Sequence, residues 1–190
     1  MKKRTLLLMG LLQLTTIFLA DSEYRYVGAE AVQHLIETNE CRKCDLRYQY
    51  LTSAINAIKN KDYNAVIDLS DANMSEADLP GADLRGANLG TANLSKANLS
   101  KSSLELAFLN KADVSEANLF QANCTGAGFV DADLSKANVS EAKFCYVEFK
   151  NTDVSDVDFS KASTVFGTNF SGAYSKSNVS IWIRLKAYFY

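Results

Sequence analysis

One proline, one histidine and one tryptophan occur in 190 residues, and basic groups do not outnumber acidic ones, 20 against 22. Without a basic surplus the chain lacks the counterion release that drives binding to a phosphate backbone, so nucleic acid is disfavoured as a partner. The lone His34 provides no imidazole cluster for a metal centre. No recognisable motif sets a Ser or Cys nucleophile beside it for hydrolytic chemistry. No residue is therefore assigned a catalytic, cofactor-binding or metal-binding role, and the chain is expected not to be an enzyme. Apolar residues make up 47% and charged residues 22%, a balance that excludes wholesale disorder. The length suits one domain with a small appendage.

The conspicuous uncharged apolar run is at the start. Lys2, Lys3 and Arg4 precede a stretch that includes Leu6, Leu7, Leu8, Leu11, Leu12, Ile17, Phe18 and Leu19. This is the arrangement of an export signal, and it is short for a bilayer core of about 30 Å. Phe18 stands where a small residue is preferred before cleavage, so residues 1–20 read as a signal peptide or an N-terminal anchor. A membrane association is expected only if this segment is retained. The chain is accordingly expected to be exported, to a bacterial periplasm, a thylakoid lumen or the medium.

From Ile67 the sequence runs DANMS, EADLP, GADLR, GANLG, TANLS, KANLS and onward. Stepping by five from Leu69 to Phe159, every central position is apolar or the thiol Cys124, and most positions two residues earlier are Ala. A period of five fits neither an α-helix, where it walks around the cylinder, nor a straight strand, where an odd step reverses the face. Each unit must instead be a short extended piece with Ala and the centre facing inward, followed by a two-residue turn.

The number of units per coil follows from positions four units apart. Ser75, Ser95, Ser115, Ser135 and Ser155 recur, each followed by a charge of alternating sign: Glu76, Lys96, Glu116, Lys136, Asp156. Four units per coil stack these in one column with opposite neighbours; three units scramble them. Exposed pairs contribute only about 0.2–1 kcal/mol, so the column marks register, while burial of each centre contributes about 1.5–3 kcal/mol. The core centres Leu69, Leu89, Leu109, Phe129 and Phe149 then share one stack, with Leu104, Cys124 and Phe144 in another. The bore is narrow and filled, with no room for a ligand.

These A-(D/N)-L-x-x units resemble the pentapeptide-repeat family over about Ile67 to Ala173, with departures before the centre at Ser103, Phe108, Gly128, Lys143 and Glu148. The resemblance implies a mainly β chain: a right-handed quadrilateral β-helix of about five coils. After Phe159 the frame slips, and one extra residue is expected as a bulge near Thr164 to Gly167. The open ends of a solenoid need atypical caps. Apolar spacing predicts two short helices, over Val27–Thr38 and Tyr48–Lys59, within an N-terminal cap of residues 21–66. The repeats fill residues 67–173. Residues 174–190, ending Trp182-Ile-Arg-Leu-Lys-Ala-Tyr-Phe-Tyr190, form a C-terminal cap or a dimer contact, since members of the resembled family often pair through that end.

Cys41 and Cys44 are compatible with a local disulfide, half of a metal site or a redox motif; export favours the disulfide. Zinc would need Cys145 and His34 as further ligands. The Cys41-x-x-Cys44-Asp45-Leu46 run is similar to the run leading into the repeats in many family members, yet Leu46 is out of frame with Leu69 and a helical insert separates them. Cys124 is expected inside and Cys145 outside. The column Asp113, Asp133 and Asp153 lacks the Gly-rich turns of calcium-binding solenoids and reads as a solvated wall. Function is expected to be that of an exported, noncatalytic interaction or structural scaffold with an unidentified protein partner. The rival is an acidic DNA-mimicking inhibitor of a topoisomerase, an activity that the resemblance implies for some members. Residues 67–171 carry 15 acidic and 8 basic groups, a net of −7, which motivates it.

Overall fold

The computed structural model describes residues 26–38, 44–45 and 51–176. The export segment, Cys41 and residues 177–190 lie outside them.

From Ile67 onward the five-residue unit is also the unit of local structure. The carbonyl of nearly every centre accepts a hydrogen bond from the N–H three positions later, as in Ala92 to Leu89 at 3.1 Å and Ala117 to Val114 at 3.2 Å. The second turn residue has positive φ: 60° at Glu76, 59° at Lys96, 57° at Glu116, 60° at Lys136. A β-turn with positive φ at its third position reverses the chain tightly and returns the next Ala to the inward face. Two of every five residues are thereby used in turning. The three left on each side pair through single bridges, so extended strand is scarce in a chain expected to be mainly β.

Those bridges are parallel and join positions four units apart, from Asp68 with Asn88 through Asp133 with Asp153. Backbone bonds such as Leu89 N–H to Phe108 O at 2.7 Å and Asn88 N–H to Ile67 O at 2.9 Å connect each coil to the next on both sides. The chain is a repeat solenoid with four units per turn of the backbone. In this register Glu76, Lys96, Glu116, Lys136 and Asp156 stack one per coil.

The register slips by one residue, but earlier than the sequence suggests. Lys136 N–H still bonds to Ser155 O, as Glu116 N–H does to Ser135 O, whereas Glu141 N–H reaches Lys161 O rather than Ser160 O, one position too far for the regular repeat. The extra residue is taken up in a 3-10 turn, Phe159–Lys161, which Asp158 caps by accepting from Ser160 N–H. Thr164 to Gly167 are not the site of the insertion. Thr164 pairs with Lys143, and Val165 follows as the partly buried residue of the next unit.

Ahead of the solenoid lie β1 (Tyr26–Val27), α1 (Gly28–Thr38), β2 (Cys44–Asp45) and α2 (Leu51–Lys61), with β1 and β2 paired in parallel. Both helices bury one apolar face, Ala31, Val32 and Leu35 from α1 and Ala54, Ile55 and Ile58 from α2. These residues belong to the same core cluster as the solenoid centres. A stripe of α2 flanking that face meets the open backbone of the first coil. Asn56 Oδ1 accepts from Asp83 N–H at 2.8 Å, Thr52 Oγ1 donates to Asp78 O at 3.4 Å, and Lys59 Nζ donates to Arg85 O at 2.6 Å.

Candidate functional site

The interior is packing rather than a site. Leu69, Leu89, Leu109, Phe129 and Phe149 are all fully buried. Phe129 stacks on Phe149 at 5.2 Å between ring centroids, and Phe149 on Phe170 at 5.0 Å. Cys124 is buried in the second stack, and burial pushes its thiol well above the ordinary value, so it stays protonated and unreactive. Cys145 is half-buried, with Sγ 3.3 Å from Thr164 Oγ1. The disulfide candidate pair is not displayed: Cys41 is outside the described residues, and only the backbone of Cys44 is placed, in β2.

The walls are built by the residue before each centre. Where it is Asp or Asn, its side-chain oxygen accepts from the backbone N–H two positions later, as in Ser95 to Asn93 at 3.0 Å and Ser135 to Asp133 at 2.8 Å. This Asx turn explains why Asp and Asn dominate that position, a role the sequence pattern alone did not disclose. Along one wall the amides also bond coil to coil, Asn138 Nδ2 to Asn118 Oδ1 at 3.0 Å and Asn98 Nδ2 to Asp78 Oδ1 at 2.8 Å. The Asp113, Asp133 and Asp153 column ends on Lys176, whose Nζ lies 2.6 Å from Asp153 Oδ2. Burial raises the Asp153 carboxyl, but the bonds from Lys176 and Ser155 outweigh it and hold the group below the ordinary carboxylate value. Among the described residues no group of three His, Cys, Asp or Glu side chains is placed to hold a metal ion. No helix among them is long and apolar enough to cross a membrane.

The four turn columns differ. Three carry polar or charged residues or Gly: Asp71, Thr91, Lys111, Asp131 and Asn151; Glu76, Lys96, Glu116, Lys136 and Asp156; Gly81, Lys101, Gln121 and Glu141. The fourth reads Gly86, Leu106, Gly126, Tyr146 and, past the slip, Gly167 with Phe166 before it, and Val66, outside any turn, stands twenty residues ahead of Gly86. Val66, Leu106, Tyr146 and Phe166 are 64–66% exposed, and Tyr63 and Phe108 beside them 65% and 57%. Tyr146 and Phe166 meet edge to face at 5.5 Å.

At its N-terminal end this edge opens into a groove of about 460 Å³ lined by Tyr63, Val66, Gly86, Glu105, Leu106 and Thr125, among others. Arg85 forms one wall. Its Nε donates to Asp83 Oδ1 at 2.7 Å, Nη2 pairs with Oδ2, and the guanidinium lies 3.9 Å from the centroid of the Tyr63 ring. The bonds from Arg85 outweigh burial and hold the Asp83 carboxyl below its usual value. Lys59, 5% exposed, uses two donors on Ala65 O and Arg85 O, each at 2.6 Å. Burial lowers its pKa, opposed by the charge of Asp83. The groove thus has apolar lining from Tyr63, Val66 and Leu106 and fixed charges at its rim. The sequence did contain a signal for this edge: the last residue of every fourth unit is large and apolar or Gly.

A search of curated proteins found no significant match by sequence. Among solved structures, QnrB1, a plasmid-mediated fluoroquinolone resistance protein, is 15% identical, with 72% of this chain and 67% of that chain covered and a TM-score of 0.47. A pentapeptide repeat protein of the Arabidopsis thaliana thylakoid lumen is 30% identical over 47% of this chain and 66% of its own length, with a TM-score of 0.32. HetL, involved in heterocyst differentiation regulation in the cyanobacterium Nostoc sp. strain PCC 7120, is 22% identical over 74% and 76%, with a TM-score of 0.26. The family description "Pentapeptide repeats" matches residues 67–105, 97–135 and 122–160, eight copies in all. With its Asx-closed turns and its bridges from each coil to the next, such as Asn98 with Asn118, the chain belongs to the pentapeptide-repeat family.

Proposed function

We propose that the protein is a noncatalytic, exported scaffold that binds another protein through the apolar turn column. The single observation behind this reading is the contrast between columns: three are polar, and one exposes Val66, Leu106, Tyr146 and Phe166 in a line. The right-handed quadrilateral form implied by the family resemblance makes that column a straight ridge, with α1 and α2 as the N-terminal cap and residues 174–190 as a C-terminal cap or dimer contact. The test is photo-cross-linking in the native host, with the reactive residue at position 106 or, as control, at position 116 on a charged column. Adducts with a protein at 106 and not at 116 are expected; equal or absent labelling removes the reading. Fractionation of the same cells tests export.

The solenoid's net acidity favours a second reading, inhibition of a topoisomerase by mimicry of DNA. It weakens where Asp153 is neutralised by Lys176 and where the stacked charges alternate in sign. Inhibition of gyrase supercoiling by the purified protein would restore it.

A further inference from the structure

The two ends of the solenoid differ in how their backbone is used. At the first coil, α2 supplies the missing partners. Within the regular coils, the N–H of each centre and of each second turn residue donates to the coil that follows, as Leu89 does to Phe108 O at 2.7 Å and Gly86 to Glu105 O at 2.9 Å. In the last coil, the N–H groups of Val165, Gly167, Phe170 and Gly172 and the carbonyls of Thr168 and Ala173 make no such bond among the described residues. Val165, Phe170 and Ala173 are also only partly buried there. Two sides of this coil therefore present an open parallel edge over an apolar cross-section, which favours pairing with a further strand.

We infer that residues 177–190 of the same chain occupy this edge as a further, atypical coil. They lie beyond the last described residue, and their register selects them. Asn178-Val179-Ser180 stands twenty residues after Asp158-Phe159-Ser160 and forty after Asn138-Val139-Ser140. In both described triplets the Ser N–H closes a turn on the side-chain oxygen of the first residue, at 3.1 Å on Asn138 and 3.2 Å on Asp158. The next centre follows at a matching interval: Val165 is six residues after Phe159, and Leu185 is six after Val179. This sets Leu185 over Val165 and Tyr190 over Phe170, with Ile183 toward the bore and Arg184 and Lys186 toward water. A shift of one residue would turn at least one of those charges into the bore. Reaching Asn178 in register requires the turn before it to lose a residue, and the regular turn is already given up at Lys176. Lys136 N–H bonds to Ser155 O at 2.7 Å, but Asp156 N–H makes no bond to Lys176 O, and Lys176 N–H goes to Ser155 Oγ at 2.6 Å. The added coil supplies Arg184 O to Val165 N–H, Phe189 O to Phe170 N–H and Phe189 N–H to Thr168 O. Independent of what the apolar ridge binds, this arrangement decides between the two roles proposed for the C-terminal residues: they close the solenoid within one chain.

A covalent trap reads this register. Phe189 falls beside Asn169 at a coil spacing of about 4.8 Å, inside the roughly 4.4–6.8 Å between Cα atoms that a disulfide spans. Oxidation of the full-length double variant Asn169→Cys with Phe189→Cys should give a monomer whose disulfide maps by mass spectrometry to 169–189. Asn169→Cys with Tyr188→Cys, one residue out of register, should not link. In the unmodified full-length protein, hydrogen exchange at the Val165 and Phe170 amides should be slow, and Leu185→Asp should speed it at least tenfold while Leu109 and Phe129 in the inner coils stay protected. Rapid exchange at Val165 and Phe170 in the unmodified protein, exchange there unchanged by Leu185→Asp, a 169–189 link that is missing or joins two chains, or equal linking at 188 and 189 overturns the inference. Labelling at position 106 tests the ridge separately, so either reading can fail alone.

Discussion

At the scale of single residues, most repeats place an ordinary L-residue where glycine is favoured. Glu116 has φ 57° and Lys136 φ 60°, in the left-handed region. That conformation costs a non-glycine residue about 1–2 kcal/mol, most for a β-branched side chain. It is held because Ala117 N–H bonds to Val114 O and Glu116 N–H to Ser135 O, at 3.2 and 2.8 Å, which the turn alone permits. We expect Glu116→Val to lower stability by about 1–2 kcal/mol, and Glu116→Gly, which relieves the turn but loosens the unfolded chain, to stay within about 0.5 kcal/mol of the parent. Urea unfolding of both variants checks this; equal losses would mean that the turn conformation is not what matters. The preference for Asp and Asn before each centre was visible in the sequence, but its cause was not. Those residues look like wall decoration until the bonds from Ser75 N–H to Asn73 Oδ1 and from Ser115 N–H to Asp113 Oδ1 are seen.

At the scale of elements, α2 does for the first coil what each coil does for the next. Thr52, Asn56 and Lys59 lie on one helical stripe and engage Asp78, Gly81, Asp83 and Arg85. In the coil above, the carbonyl of Glu105 receives the N–H of Gly86; one coil earlier, the carbonyl of Arg85 receives Lys59 Nζ instead. Lys59→Met keeps the length of the side chain but leaves Ala65 O and Arg85 O without that donor. A loss of about 1–3 kcal/mol is expected, against less than about 0.5 for Lys61→Met on the exposed side. Thermal melts that do not separate the two variants would remove the cap from the account. The helices themselves were legible from apolar spacing, within three residues at each end. The role of Lys59 was not, because a lysine in a helix is ordinarily a solvated charge, and only the docking of α2 buries it.

At the scale of the whole molecule, the last described residues are tied back by charge. Lys176 pairs with Asp153, as Arg85 does with Asp83 near the other end of the solenoid. Both carboxyls titrate below their ordinary value, so the stability they contribute is complete above about pH 4 and is lost as pH falls through their folded values. Melting temperature should therefore drop on acidification below about pH 4, and Asp153→Asn should melt lower at neutral pH with a shallower acid drop. An acid profile identical in the parent and in Asp153→Asn would assign the loss elsewhere.

The sequence by itself determined the period, the inward identity of Leu69, Leu89, Leu109, Phe129 and Phe149, and the coil of four units, because each follows from steric rules that act over a short stretch of chain and repeat. Only the tertiary structure decided where the register slips, what closes the first coil and which turn column is apolar. An extra residue can be absorbed at any of several turns, and the 3-10 turn at Phe159–Lys161 is preferred once Asp158 can cap it. A line of Val66, Leu106, Tyr146 and Phe166 exists only after winding has brought positions far apart in the chain onto one edge of the solenoid.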